Sequence, residues 1–263
     1  MATERSKKNE AKSCLGTVSE RNPLVREVIE LDETDSTNRV AKELAIKGAK
    51  EGTLVVAKRQ SGGKGRLGRS FFSPEGGIYM SMILRPTIPA ARALLITTCA
   101  AVAVARAMER VCDVTAGIKW VNDIFVNGKK VCGILAEAGL NPDSEIPEYV
   151  VLGIGINVKK QAVPEELKDI AGCLEENGQT VLNEDLIAAI WEEFGTLYQN
   201  LSTAVFMEEY KQRSILMGRE VTVLATVGDY RAVVTDIDKE GHLVIRHGDR
   251  EEILSSGEVS VRL

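Results

Sequence analysis

The chain has 263 residues, with 33 Lys+Arg against 38 Asp+Glu and a formal net charge of -5, which excludes a general DNA-binding surface and makes any basic patch local. Five scattered cysteines (Cys14, Cys99, Cys112, Cys132, Cys173) without a C-x-x-C, and two histidines, exclude a disulfide framework, a zinc site and a histidine-based centre. The longest uncharged apolar run, 93–105, falls short of the ~20 residues a bilayer span needs, and the polar first 22 residues lack a secretory core, so the expectation is a cytoplasmic protein with no membrane segment.

Residues 1–23 read as a flexible tail, too short to hold a helix-turn-helix domain. A first strand is expected over 24–31. Asp35-Ser36-Thr37-Asn38 then supplies N-cap residues before Val40, Ala41, Leu44 and Ala45, which recur at helical spacing until Gly48. Further strands are expected at 53–57 and 77–84. The alanine-rich stretch 90–111 predicts a helix apolar almost all round, hence buried. Short strands follow at 114–120, 124–126, 130–140 and 149–158, with Asn127-Gly128 marking a tight hairpin turn. Strands joined by a hairpin imply an antiparallel or mixed sheet rather than a parallel one. Helices are expected after Pro164, over 183–201 and over 202–214. From residue 217 the texture changes to five short strands, at 220–224, 230–236, 243–246, 251–254 and 259–263, which read as a small β-barrel packed on the main domain. The domain reading is therefore 1–23, 24–216 and 217–263.

The densest segment is Gln60-Ser61-Gly62-Gly63-Lys64-Gly65-Arg66-Leu67-Gly68-Arg69, with four glycines and three cations, in a region free of acids from Glu51 to Glu75. Glycine lets backbone amides turn inward and approach a ligand, and lysine and arginine add charge. Three readings fit this loop alone: a small-anion site, a solvated linker, or an arm that contacts nucleic-acid phosphates. It is neither a Walker loop nor a dinucleotide fingerprint.

Three other segments carry polar chemistry. Lys119, Asn122 and Asp123 fall where one strand ends and another begins. Lys130 interrupts an apolar strand, Val131-Cys132-Gly133-Ile134-Leu135, where a buried ammonium needs an anion; its ordinary alternative is a hairpin-end surface charge. Gly133 favours close approach of a ligand. In Gly153-Ile154-Gly155-Ile156-Asn157-Val158 small and β-branched residues alternate, leaving one face bare. Ser36-Thr37-Asn38, taken alone, reads first as plain N-capping.

Taken together, these segments resemble the biotin protein ligases, enzymes that attach biotin to a lysine of a carrier domain. The family's G-R-G-R-x-G-R loop corresponds to Gly63–Arg69, D-S-T-N to Asp35–Asn38, K-W-x-N-D to Lys119–Asp123, K-x-x-G-I-L to Lys130–Leu135 and G-x-G-I-N to Gly153–Asn157. One residue departs from the pattern: Lys64 stands where the family has arginine, which keeps the charge and loses the two-pronged contact.

The resemblance implies an α+β fold: a mixed, largely antiparallel sheet flanked by helices, class II synthetase-like, with a small C-terminal SH3-like β-barrel. It implies biotin and ATP as ligands, with Mg²⁺ bound alongside ATP rather than in a protein-only metal cage. Ser36, Thr37, Asn38 and Gln60 would bind the polar ring of biotin, and Lys64, Gly65 and Arg66 would wrap the carboxylate and phosphate. Lys130 would be the catalytic cation, joined by Arg66 and Lys119. Lys119, Asn122, Asp123 and Arg69 would handle the triphosphate, Asn157 would serve the adenine side, and Gly133 and Gly155 would leave room for the thioether ring and acyl chain of biotin. Phe71 or Phe72 would stack near the adenine once the loop closes. The implied partner is a biotin carboxyl carrier protein or domain of an acyl-CoA carboxylase, acting on a monomer or homodimer without DNA. The alternatives are a lipoate protein ligase, which resembles the same fold but usually lacks the full loop and barrel, and a biotin-sensing repressor.

Overall fold

A computed structural model of the chain describes residues 18, 22–141, 143–177, 180–224, 228–255 and 260–262, with Asn177 and 260–262 described by backbone alone. Its larger sheet has seven strands: β1 Glu27–Thr34, β2 Thr53–Gln60, β3 Ile78–Leu84, β4 Gly117–Lys119, β5 Asp123–Val126, β6 Lys129–Gly139 and β7 Tyr149–Ile156. Their spatial order is β1-β2-β3-β7-β6-β5-β4. Neighbouring pairs are antiparallel except β1 and β2, which run parallel and are joined by helix α1, Thr37–Ile46. A parallel pair cannot be closed by a tight turn, so this helical crossover is what makes the sheet mixed.

The central strands are buried on both faces, and successive side chains feed two different cores. Leu54 and Val56 of β2, Met80, Met82 and Leu84 of β3, and Leu152, Ile154 and Ile156 of β7 enter the larger core. That core is shared with α2, Leu94–Cys112, α3, Asn183–Tyr198, and α4, Met207–Gln212. Val55, Ile83 and Val151 point the other way, onto Ala41 and Ala45 of α1. Because α1 is only ten residues long, it covers part of that face. The stretch Ala90–Cys112 is long and apolar enough to cross a membrane, yet 72% of an 18-residue portion of it is buried inside the protein. It is the central core helix.

Five strands, β8 Glu220–Leu224, β9 Tyr230–Ile237, β10 Leu243–His247, β11 Arg250–Leu254 and β12 Ser260–Arg262, form a separate antiparallel sheet in the order β11-β10-β9-β8-β12. Most expected elements stand where the residue pattern places them. The expected helix over 202–214 is instead a 3-10 turn, Leu201–Thr203, and the short α4, with Ala204 left-handed (φ 51°) between them. The helix expected after Pro164 is a single 3-10 turn, Glu165–Leu167. Most of the expected tail 1–23 lies outside the described residues; Val18 and Asn22 within it are buried.

Candidate active site

Where α1 stops covering the sheet, the exposed face is made of small residues. Gly133 of β6 pairs with Gly155 of β7, and Leu135 pairs with Gly153, so two adjacent strands present a nearly bare floor. Space rather than backbone conformation demands these glycines. A Cβ on Gly153 would lie 2.0 Å from Asn38 Oδ1, and one on Gly155 would lie 2.7 Å from the Phe71 ring. The alternation seen in 153–158 is thus literal: isoleucines face the core and glycines face a cleft.

One wall is the start of α1. Ser36 is the N-cap by position, but its side chain makes no capping bond, so capping is not what these polar residues do. Thr37 and Asn38 instead belong to a buried network. Gln60 Oε1 accepts from Thr37 N at 2.8 Å and Thr37 Oγ1 at 3.1 Å, and Gln60 Nε2 donates to Ser73 Oγ at 3.0 Å. Ser81 Oγ donates to Asn38 Oδ1 at 2.6 Å and lies 2.7 Å from Thr37 Oγ1. Asn38 Nδ2 donates to Glu137 Oε2 at 2.7 Å.

The glycine-rich loop forms the roof as a compact hairpin. Gly65 N donates to Arg69 O at 2.7 Å, and Phe71 N donates to Gly63 O at 2.8 Å. Gly63 has no room for a Cβ, which would fall 2.4 Å from Phe71 O. The turn over Arg66–Gly68 places Leu67 and Gly68 at φ 54° and 72°. Arg66 reaches across the cleft, with Nη1 3.4 Å from Asn122 Oδ1. Burial lowers the Arg66 guanidinium from its ordinary value, and Asp123 nearby partly offsets that.

The second wall is the β4–β5–β6 region. Lys130 Nζ lies 2.6 Å from Asp123 Oδ1 and 5.9 Å from the Phe71 ring centroid. Lys119 Nζ lies 5.8 Å from the Phe125 ring. Asn122 Nδ2 donates to Ile134 O at 2.7 Å, tying the turn to β6.

Ser36, Thr37, Asn38, Gln60, Lys64, Gly65, Arg66, Arg69, Lys119, Asn122, Asp123, Lys130 and Gly133 all line this one cleft. Asn157 does not. Its Nδ2 donates to Gly172 O at 3.0 Å and ties down the segment beyond β7. Phe71, one of the two rings expected near the adenine once the loop closes, lies over Gly133 and Gly155 on the floor. The residue pattern did not single out Ser81, Ser73 or Glu137. A signal for Ser81 was present, since a serine inside the doubly buried strand IYMSMIL must find a polar partner.

A family model described as biotin/lipoate A/B protein ligase matches residues 30–157, and a model for the biotin protein ligase C-terminal domain matches 216–262. The chain belongs to the biotin protein ligase family. Among its relatives, the ligase is 35% identical over 237 residues to the bifunctional ligase/repressor BirA of Bacillus subtilis, covering 88% of this chain and 72% of the relative. It is 29% identical over 239 residues to the biotin–[acetyl-CoA-carboxylase] ligase of Paracoccus denitrificans, covering 87% and 98%. Its fold is similar to that of the Aquifex aeolicus biotin protein ligase solved with biotin and ATP, at TM-score 0.77 and 29% identity, over 90% of this chain and 99% of that one.

Proposed function

We propose that this ligase activates biotin with ATP to biotinyl-5′-AMP and transfers the biotinyl group to a lysine of a biotin carboxyl carrier domain. The observation that carries the reading is convergence. Loop cations, Lys130 and a glycine floor meet in one cleft, which suits an apolar chain ending in a carboxylate.

In the first step a biotin carboxylate oxygen attacks the α-phosphorus of ATP, and the bond to pyrophosphate breaks. Two anions approach each other, so fixed cations are the main requirement. Lys64 and Arg66 on the roof and Lys130 on the wall supply that charge. Thr37 and Gln60 hold the polar ring end of biotin, beside Ser36 and Asn38. Lys119, Asn122, Asp123 and Arg69 serve the triphosphate. Asp123 is the carboxylate of the cleft lining, which fits an Mg²⁺ held by one or two carboxylates and the substrate phosphates; the ion would neutralise phosphate charge. In the second step the acceptor ε-amine attacks the acyl carbon, AMP leaves and a proton is released. The Gly63–Arg69 roof shields the mixed anhydride from water until the acceptor arrives.

We read 24–216 as the catalytic domain and 217–263 as a C-terminal domain. The buried, unbridged thiols Cys99, Cys112 and Cys132 support a cytoplasmic setting. The reading further holds that the ligase acts as a monomer or homodimer without binding DNA, supported by loop cations that line the cleft.

Calorimetry with biotin, with and without a non-hydrolysable ATP analogue, followed by mass analysis of a carrier domain for one added biotinyl group, tests the activity. Binding of lipoate in preference to biotin would overturn it. A gel shift on operator DNA with biotin and ATP tests the last point independently.

A further inference from the structure

The turn Trp120-Val121-Asn122 joins β4 to β5, and Lys119, Asn122 and Asp123 around it line the cleft. Turn residues are usually solvated, yet Trp120 is 4% and Val121 1% exposed. Two hydrogen bonds hold the turn from behind. Tyr210 Oη donates to Val121 O at 3.0 Å, and Trp120 Nε1 donates to Gly241 O at 2.9 Å. The second acceptor belongs to the other sheet, on the turn between β9 and β10.

That turn is braced at several points. Asp238 Oδ1 accepts from Glu240 N at 2.9 Å and His242 N at 2.8 Å. Gly241 sits at φ 87°, a conformation that aims its carbonyl away from the strand path and that L side chains rarely adopt. Glu240 pairs with Arg92 at 2.8 Å, and a Cβ on Gly241 would come within 3.3 Å of Thr98 on α2.

We propose that the β9–β10 turn is a positioning element for the nucleotide half of the cleft, acting through the Gly241–Trp120 hydrogen bond on Lys119, Asn122 and Asp123. The proposal rests on the ligase reading above. It assigns the C-terminal sheet a selective role: the biotin wall at Thr37, Asn38 and Gln60 is held by β3, β6 and the loop, and none of its hydrogen bonds reaches residues beyond 217 among those described.

Trp120→Phe keeps an aromatic side chain at a position that itself borders the cleft, deletes the donor and removes one of the two fused rings. With biotin-saturated protein, its Kd for a non-hydrolysable ATP analogue should rise roughly tenfold, because Lys119, Asn122 and Asp123 lose the anchor that holds them in place. Its Kd for biotin alone should not change. Glu240→Gln loosens the turn without touching the cleft and should shift analogue binding in the same direction by less, which keeps the test open if Trp120→Phe folds poorly. Unchanged analogue affinity in both variants, or equal weakening of biotin and analogue, overturns the proposal. If the parent protein binds neither molecule, the ligase reading falls with it. If the parent binds both and the variants match it, the proposal alone falls.

Discussion

Lys130 Nζ and Asp123 Oδ1 lie 2.6 Å apart, so the cation assigned to the reacting carboxylate and phosphate already has a counter-ion on the neighbouring strand. A ligand anion and a metal ion, arriving together, can take over both halves of this pair. Lys130→Met should therefore slow adenylate formation by about 10²–10³-fold, the usual effect of removing one preorganised donor. Lys130→Arg should recover part of the rate. Pyrophosphate release is the measurement, and a Lys130→Met variant with parental rates would remove Lys130 from the mechanism.

Arg66 is the roof cation that crosses to Asn122. Arg66→Gly should still form the adenylate but release it early, because the roof loses its contact with the far wall. Chasing labelled adenylate from the protein gives the release rate directly. Retention as long as in the parent would show that the roof does not hold the intermediate through Arg66.

Two of the floor glycines, Gly153 and Gly155, should respond differently to alanine. At Gly153 the new methyl meets Asn38 Oδ1 at 2.0 Å inside a buried network, so Gly153→Ala should cost about 1–3 kcal/mol of stability. At Gly155 it meets a ring edge of the half-buried Phe71 at 2.7 Å, and that side chain can move. Gly155→Ala should therefore weaken biotin binding with little change in Tm. Thermal melts beside calorimetry separate the two cases, and equal Tm losses would contradict the assignment.

Ser81 is fully buried and holds Asn38 Oδ1. Ser81→Ala leaves that acceptor unpaired, a loss of about 1–3 kcal/mol. Denaturant unfolding would report it as a lower midpoint at unchanged slope.

Arg213 bonds Glu109 at 2.7 Å and Glu209 at 2.8 Å, linking α2 to α4. The Arg213 hydrogen bond holds the Glu109 carboxyl below its ordinary 4.5. Burial raises that of Glu209, but the Arg106 and Arg213 guanidiniums outweigh burial and leave it lowered too. A depressed folded-state value means the stabilisation is present above pH 4.5 and is lost as pH falls through the lower, folded values. Arg213→Gln should thus be less stable than the parent above that pH, and the gap should narrow below it. A Tm difference independent of pH would rule out this charge linkage.

Much of the site was legible because its residues carry chemistry at fixed spacing. The roof glycines, Lys130 and the Asn127-Gly128 turn each leave a local signature, and the turn adopts the positive φ pair, 51° and 76°, that such a hairpin needs. The partners of Asn38 were not legible. Ser81 and Glu137 lie 43 and 99 residues away in sequence, brought to it by sheet register alone. The break in the expected helix over 202–214 was hidden for another reason: Ala204 is an excellent helix former, and its left-handed conformation comes from tertiary packing. Asn157 belonged to a recognisable strand, yet it lies one residue past β7, and its amide donates to Gly172 O.

Strand β7 has one more consequence. Its isoleucines and glycines occupy opposite faces of the same backbone, so sliding β7 by a single residue against β6 would drive bulky branches into the ligand space and leave holes beneath α2. Competence to hold biotin and correct pairing of the central strands are therefore acquired in one event. Vitamin capture during refolding should report when the middle of the sheet has locked into place.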